Sequence, residues 1–172
     1  MKIVINAGHT ASGPGTGAAY KGWYEADIVR DVTRALIPLL KAKGHTVKEV
    51  TVNSAGSQNT YLNSVCQRAN ATDADLFISL HCNASLTRLG KGCEAYTWKG
   101  QKVKQAVKIC DNLAALGFRN RGVKDGSKLY VVRYTTAVAI LVELFFLDNA
   151  TDRALYEQHG PAKIAEAIAN AL

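Results

Sequence analysis

The first half of the chain alternates short strand-like runs with segments of helical periodicity. Residues 2–8 and 75–80 are dominated by apolar and small side chains, and residues 45–50 alternate between polar and apolar ones. Between these runs, residues 28–40 and 62–69 place apolar side chains at helical spacing. Strand, helix, strand, helix, strand is the order of a sheet with helices packed on its faces, so the sequence predicts the α/β class.

The second half continues the pattern without a break. We expect strands at residues 93–98, 128–132 and 137–142, and helices at residues 103–116 and 164–172. No internal repeat, low-complexity tract or linker interrupts the 172 residues. A domain of that length buries roughly two thirds of the surface of its unfolded chain. The sequence therefore predicts one domain, residues 1–172.

Four polar residues suited to metal binding or proton transfer stand at the ends of these segments: His9, Glu25, His81 and Glu143. Three of them follow strand-like runs, and the ends of strands in an open α/β sheet line its crevice. Two histidines and a carboxylate suit an open zinc site that leaves the fourth position for water. A second carboxylate can serve as the base. The set therefore predicts a candidate zinc hydrolase site.

Each of these residues also has an ordinary structural role open to it. A lone histidine more often satisfies local hydrogen bonds, and an acid that opens a helix, as Glu25 does, complements the helix dipole by about 0.3–1 kcal/mol. Glu143 is harder to explain in that way, because it closes a run expected to be a buried strand, where an unpaired carboxylate is costly. Desolvation there raises a carboxyl pKa towards that of a general base.

The cysteines and the N-terminus limit the class of protein. Four cysteines occur without a CxxC spacing, so we expect buried free thiols rather than a structural zinc site or a redox pair. One of them, Cys82, follows His81 directly and should face away from the metal. The N-terminus lacks the features of a secretion signal, and no apolar run approaches the ~20 residues of a membrane span. This predicts a protein made in the cytoplasm, or a piece cut from a longer one.

Several short motifs occur in a specific order along the chain. They are Gly8-His9, Glu25 at the head of the first helix, Ser79-Leu80-His81-Cys82-Asn83-Ala84, Gly92-Cys93-Glu94, Asn120-Arg121-Gly122, Ala139-Ile140-Leu141-Val142-Glu143-Leu144, and Asp148-Asn149. In this combination the chain resembles, over essentially its whole length, the catalytic domain of zinc-dependent N-acetylmuramoyl-L-alanine amidases. These are cell-wall hydrolases of phage endolysins and bacterial autolysins.

The resemblance implies a role for each of the four residues. His9, Glu25 and His81 would bind one zinc ion, and Glu143 would be the catalytic acid and base. The family's fold is a mostly parallel twisted sheet flanked by helices on both faces. Its reaction is hydrolysis of the amide bond between N-acetylmuramic acid and L-alanine of the stem peptide by zinc-activated water.

The chain departs from the family pattern at two places. The first motif usually reads Asp-Pro-Gly-His-Gly, whereas here it is Asn6-Ala7-Gly8-His9-Thr10. After Glu143 the common Leu-Gly-Phe is replaced by Leu144-Phe145-Phe146. The first change alters the approach of a ligand and the second reshapes the end of a strand, and neither removes a site residue.

Two further residues are predicted to contact substrate. Asn83 offers an amide to peptide or sugar, and Arg121 offers a guanidinium whose geometry suits a stem-peptide carboxylate. A zinc peptidase acting within the stem peptide needs the same ligands and base, so it stays open as an alternative. A wall-binding module without activity is the other alternative, and the presence of Glu143 argues against it.

The charge of the chain bears on its partners. A formal net charge of +7 and a pI near 9.3 favour an anionic partner. The basic residues are scattered, with no run of five, so nucleic acid is not expected, whereas an anionic cell-wall polymer fits. We expect a monomer that acts on peptidoglycan without membrane insertion or a separate wall-binding domain. A phage endolysin, made in the cytoplasm and acting on the wall, suits the missing secretion signal.

Overall fold

The computed structural model describes residues 1–172 and shows a six-stranded sheet with helices on both faces. The strands are β1 (Lys2–Ala7), β2 (Ala19–Tyr20), β3 (Trp23–Tyr24), β4 (Thr46–Glu49), β5 (Leu76–Asn83), β6 (Cys93–Thr97), β7 (Asn120–Asp125) and β8 (Val138–Phe146). The helices are α1 (Glu25–Ala42), α2 (Gln58–Asn70), α3 (Lys104–Ala115), α4 (Tyr130–Tyr134) and α5 (Ala150–Ala169), with a 3₁₀ turn at Trp98–Gly100. No helix has both the length and the apolar character that a membrane span requires.

The main sheet has the order β4-β1-β5-β8-β6-β7, and β2 and β3 form a separate small hairpin. Every neighbouring pair of the main sheet is parallel except β6 and β8, which are antiparallel. The predicted mostly parallel α/β sheet is confirmed. Since β6 runs against β8, its first residues lie at the same sheet end as the last residues of β5 and β8.

The two faces of the sheet are covered unequally. One face packs on α1, α3 and α5 and carries the larger core, which includes Ile5, Ile78 and Val142. The other packs on α2 and the short α4, and its smaller core includes Phe77 and Leu141. Because side chains alternate along a strand, the polar residues two and four positions after Phe77, and two positions after Leu141, lie on this second face as well.

That second face is therefore apolar at one end and polar at the other. Phe77 and Leu141 are followed at two-residue steps by Ser79, His81 and Glu143. Glu94 lies directly opposite Glu143 in the antiparallel pair and shares its face. The polar half-face, bounded by the carboxyl ends of β5 and β8, is where the site lies.

A bulge near the end of β8 accommodates one departure from the family pattern. His81 pairs with Glu143 and Asn83 pairs with Phe146, so β8 has one residue more than β5 in this interval. As a result Leu144 and Phe145 are both fully buried in the larger core. Phe145 stacks there between Phe118 and Tyr156, with ring centroids 5.9 and 5.1 Å away.

Three sequence expectations about the elements need correction or refinement. The strand predicted at residues 128–132 is wrong, because Tyr130–Tyr134 is a short helix whose Val131 and Val132 pack into the smaller core. The true edge strand, Asn120–Asp125, has too few apolar residues to show alternation. β5 and β8 also extend beyond their predicted ends, so His81 and Glu143 lie inside strands rather than after them. All four cysteines are buried free thiols, as predicted.

Candidate active site

The chain leaves the sheet just before His9, through a turn in which only a glycine fits at position 8. The Gly8 N–H donates to the carbonyl of Leu80 at 2.8 Å, which ties the end of β1 to β5. A Cβ on Gly8 would lie 2.4 Å from Cε1 of His81 and 2.6 Å from the Leu80 carbonyl oxygen. His9 itself takes a left-handed conformation with φ of 65°, which is uncommon for a residue other than glycine. Its ring is thereby directed back over the end of the sheet.

Glu25 is the first residue of α1, but it does not serve as an exposed partner of the helix dipole. Its side chain is buried, and each oxygen accepts a backbone hydrogen bond: Oε1 from Cys82 N at 2.9 Å and Oε2 from Ala18 N at 2.8 Å. The loop before α1 approaches closely at Gly17, where φ is +81° and a Cβ would meet Glu25 Oε2 at 2.6 Å. The carboxylate is therefore fixed from two sides.

The hydrogen bonds of the two histidines decide which ring nitrogens are free. His9 Nδ1 lies 3.0 Å from the carbonyl oxygen of Gly15, which only accepts, so the proton is on Nδ1. Ser79 Oγ donates to Asn6 Oδ1 at 3.0 Å and therefore accepts from His81 Nε2, also at 3.0 Å. His9 Nε2 and His81 Nδ1 are left as lone-pair donors, and outer partners of this kind orient metal-binding histidines.

These lone pairs converge on one carboxylate oxygen. His9 Nε2 lies 3.2 Å and His81 Nδ1 lies 3.1 Å from Glu25 Oε1, and the three ligand atoms all lie within 4.8 Å of one another. Three lone pairs at this spacing repel one another unless a proton or a metal cation lies among them. Ligands bound to zinc at 2.0–2.1 Å in a tetrahedron are about 3.4 Å apart, which is close to the two histidine distances to Glu25 Oε1, and the donor set suits this metal. The three residues form a group that could hold a metal ion, as predicted.

The local electrostatics also favour a positive charge at this point. Burial would raise the pKa of Glu25, but the hydrogen bonds and charges of the two histidines outweigh it and hold that pKa far below its usual value. Burial would lower the pKa of His9, but the hydrogen bond and charge of Glu25 raise it overall. For His81, burial prevails and lowers the pKa. The carboxylate thus stays ionised and attracts a cation.

Glu143 lies beside this group, paired in register with His81 on the neighbouring strand. It shares a cleft of about 310 Å³ with His9 and His81, whose opposite wall is formed by α2 and α4, including Tyr61 and Tyr130. Its Oε2 atom is buried without a hydrogen-bond partner. Burial, with added repulsion from Glu25 and Glu94, raises the pKa of Glu143 well above its usual value. A carboxyl of this kind readily holds a proton and passes it on.

The two predicted substrate residues lie close by but are engaged with another residue. Asn83 Nδ2 donates to Glu94 Oε1 at 2.9 Å, and Arg121 Nε donates to Glu94 Oε2. Sequence reasoning assigned no role to Glu94, although it lies within one of the family-like motifs. Lys124 was missed as well, and it also donates to Glu94 Oε2.

Comparison with known proteins decides between the hydrolase families that use such a group. A model of the family described as N-acetylmuramoyl-L-alanine amidase matches residues 3–172. The chain belongs to this family. Among solved structures, the catalytic domain of the CD27L endolysin, described as targeting Clostridia Difficile, is 31% identical and superposes with a TM-score of 0.90. The match covers 99% of this chain and 96% of that domain. The predicted resemblance, fold and enzyme class are confirmed.

Curated relatives include a bacterial amidase and a phage endolysin. N-acetylmuramoyl-L-alanine amidase LytC of Bacillus subtilis (strain 168) is 33% identical, over 91% of this chain and 31% of its own length. The endolysin of Bacillus phage SPP1 is 32% identical, over 91% of this chain and 58% of its own length. An uncharacterised protein of Clostridium perfringens (strain 13 / Type A) is 36% identical, over all of this chain and 51% of its own length. The chain thus spans between 31% and 58% of the length of these three relatives.

Proposed function

We propose that residues 1–172 are a zinc-dependent catalytic domain that hydrolyses the amide bond between N-acetylmuramic acid and L-alanine in peptidoglycan. The observation that carries this proposal is the convergence of His9 Nε2, Glu25 Oε1 and His81 Nδ1 beside an unpartnered Glu143. Membership of the amidase family supports the choice of bond. The names of the endolysin and LytC relatives support the cell wall as the place of action.

His9, Glu25 and His81 are the residues that would hold the metal. A zinc ion, when bound, supplies a Lewis acid that polarises the scissile carbonyl and lowers the pKa of water. The protein's part is to keep the three ligands rigid. It does so through the Gly15 carbonyl on His9, the Ser79 hydroxyl on His81, and the backbone amides of Cys82 and Ala18 on Glu25.

Glu143 performs the proton transfers in the proposed mechanism. As a carboxylate it takes a proton from the attacking water, and as a carboxylic acid it returns that proton to the nitrogen of the leaving L-alanine. Its raised pKa favours holding the proton between the two steps. Its Oε2 atom has no hydrogen-bond partner in the protein, so no other side chain competes with the reacting groups for it.

A zinc peptidase needs the same ligands and base, so the site atoms alone do not select the bond. The family favours the amidase, and the products of wall digestion separate the two. We expect purified peptidoglycan treated with the domain to release stem peptides that begin with a free L-alanine amine, identified by mass spectrometry. Peptides cut internally would indicate a peptidase instead. Wall binding without any cleavage would indicate a recognition module.

A further inference from the structure

We propose that Arg121 and Lys124, held in place by Glu94, form a subsite that selects stem peptides with a free carboxylate close to the scissile bond. This specificity rests on the proposed amidase function and adds to it. The side chains around Glu94 form an arrangement that a purely structural ion pair does not require.

Glu94 is the centre of a dense polar cluster on the open half of the second sheet face. It is 1% exposed, and four side chains donate to its two oxygens. Oε1 accepts from Asn83 Nδ2 at 2.9 Å and from the Tyr96 hydroxyl at 2.7 Å. Oε2 accepts from Arg121 and Lys124. A carboxylate that accepts from this many donors is held rigidly, and it fixes the positions of the two cations.

The two cations of the cluster carry more positive charge than the carboxylate of Glu94 neutralises. One carboxylate faces two cations, so the group of three has a net charge of +1. Arg121 uses only Nε for Glu94, which leaves its terminal NH₂ groups, and Lys124 uses one of its three donors. Their side chains are 27% and 35% exposed, whereas Glu94 is covered. The surplus charge and the spare donors are therefore presented to the open face.

The Arg121 guanidinium is also held in a fixed plane. Its central carbon lies 4.9 Å from the centroid of the Phe146 ring, which restricts the side chain and favours an oriented interaction. A planar guanidinium with free terminal donors suits bidentate binding of a carboxylate. Lys124 adds a second, less directional charge.

The distance from the reacting bond fits a nearby residue of the stem peptide. Glu94 pairs directly with Glu143, and β7, which carries both cations, is the next strand. Neighbouring strands are about 4.8 Å apart, and the cations on β7 reach back to Glu94 on β6. Their charged groups therefore lie between one and two strand spacings, roughly 5–10 Å, from the β8 backbone. One extended residue spans about 3.3–3.6 Å. A carboxylate on the second residue of the stem peptide reaches this place when the scissile bond lies at Glu143.

The chemistry of the substrate indicates that the peptide, and not the glycan, lies on this side. Wall sugars are uncharged once the lactyl group is in amide linkage, whereas the stem peptide carries carboxylates. On the other side of Glu143 the cleft is lined mainly by apolar and aromatic residues such as Tyr61 and Tyr130, and Lys128 is the one lysine or arginine there, so no cation pair faces this side. The carboxylates of the stem peptide are therefore the groups that match the positive charge of Arg121 and Lys124.

The test compares two muramyl peptides that differ only at the second residue, which has either a free carboxylate or a carboxamide. For the unaltered protein we expect kcat/KM to be about tenfold or more higher for the free acid, since hydrogen bonds to charged groups are stronger than those to neutral ones. Arg121→Met and Lys124→Met should each lower this preference several-fold. The loss should appear in KM for the acid peptide, with kcat little changed. Thermal unfolding of both variants checks that they are folded.

Lys48→Met is the matched control, because Lys48 is an exposed lysine on β4, at the opposite edge of the sheet. It should keep the preference of the unaltered protein. Equal kcat/KM for the two peptides, or an unchanged preference in both Met variants, would overturn the subsite while leaving the amidase function in place. If both peptides stayed intact, the amidase function and the subsite would both be rejected.

Discussion

Replacing Glu143 with glutamine is expected to lower kcat for peptidoglycan hydrolysis by about 10²–10⁴-fold, the range that general acid–base catalysis contributes. Glutamine keeps the shape of the side chain but neither accepts a proton from water nor returns one to the leaving amine. His9, Glu25 and His81 are unchanged in this variant, so it should bind as much zinc per chain as the parent. The measurement is kcat together with the metal content of the same preparation.

Glu166→Gln is the control for the Glu143 variant. Glu166 undergoes the same chemical change but lies exposed on α5, where it pairs with Lys163. Its kcat should equal that of the parent. If Glu143→Gln retained more than about a tenth of the parent kcat with full zinc occupancy, Glu143 would not be the acid and base of this reaction.

The second large effect is expected on stability, at Glu94. Glu94→Ala should lower the free energy of unfolding by roughly 3 kcal/mol, the lower end of the range for breaking a buried ion pair from one side. The lower end applies because Arg121 and Lys124 are partly exposed and can turn towards water. Asn83 and Tyr96 lose their common acceptor as well. Denaturant unfolding of variant and parent measures the difference.

The pH dependence of this difference has a defined sign. Burial would raise the pKa of Glu94, but the hydrogen bonds from Arg121, Lys124 and Tyr96 lower it overall. An acid whose pKa is depressed by folding stabilises the protein above its unfolded pKa, about 4.3 for glutamate, and loses that contribution as the pH falls through the folded value. The stability gap between parent and Glu94→Ala should therefore narrow below about pH 4.

An exposed ion pair provides the comparison for Glu94. Glu166→Ala removes the partner of Lys163 on the surface of α5, where both side chains are about half exposed. Pairs of this kind contribute about 0–1 kcal/mol. A loss at Glu94 no larger than that at Glu166 would show that the cluster on β6 and β7 does not depend on its central carboxylate.

The sequence predicted the α/β class and the four site residues for different reasons. The class follows from periodicity, because buried strands and amphipathic helices require particular spacings of apolar residues. The site residues stand out because of their side-chain chemistry, since a histidine or a glutamate next to a buried strand needs a hydrogen-bond or charge partner. His9, Glu25 and His81 find that partner in one another, and Glu143 lies beside them.

The elements at the edge of the sheet could not be predicted in the same way. Residues 130–134 include two adjacent valines, which favour a strand, but packing against α2 and the sheet stabilises one helical turn there. β7 lies at the edge and carries charged residues on the open face, so it has no apolar alternation. The cluster around Glu94 depends on the antiparallel register of β6 with β8, a contact between residues almost fifty positions apart. No local sequence pattern predicts a contact between residues so far apart in the chain.

The most direct test of the central claim is a zinc titration of the metal-stripped domain, with hydrolysis of peptidoglycan as the readout. If His9, Glu25 and His81 hold the one catalytic ion, activity should be absent at first and rise in proportion to added zinc. It should level off at one equivalent per chain. Full activity in the stripped protein, or a rise that continues well past one equivalent, would contradict the assignment of a single zinc to these three residues.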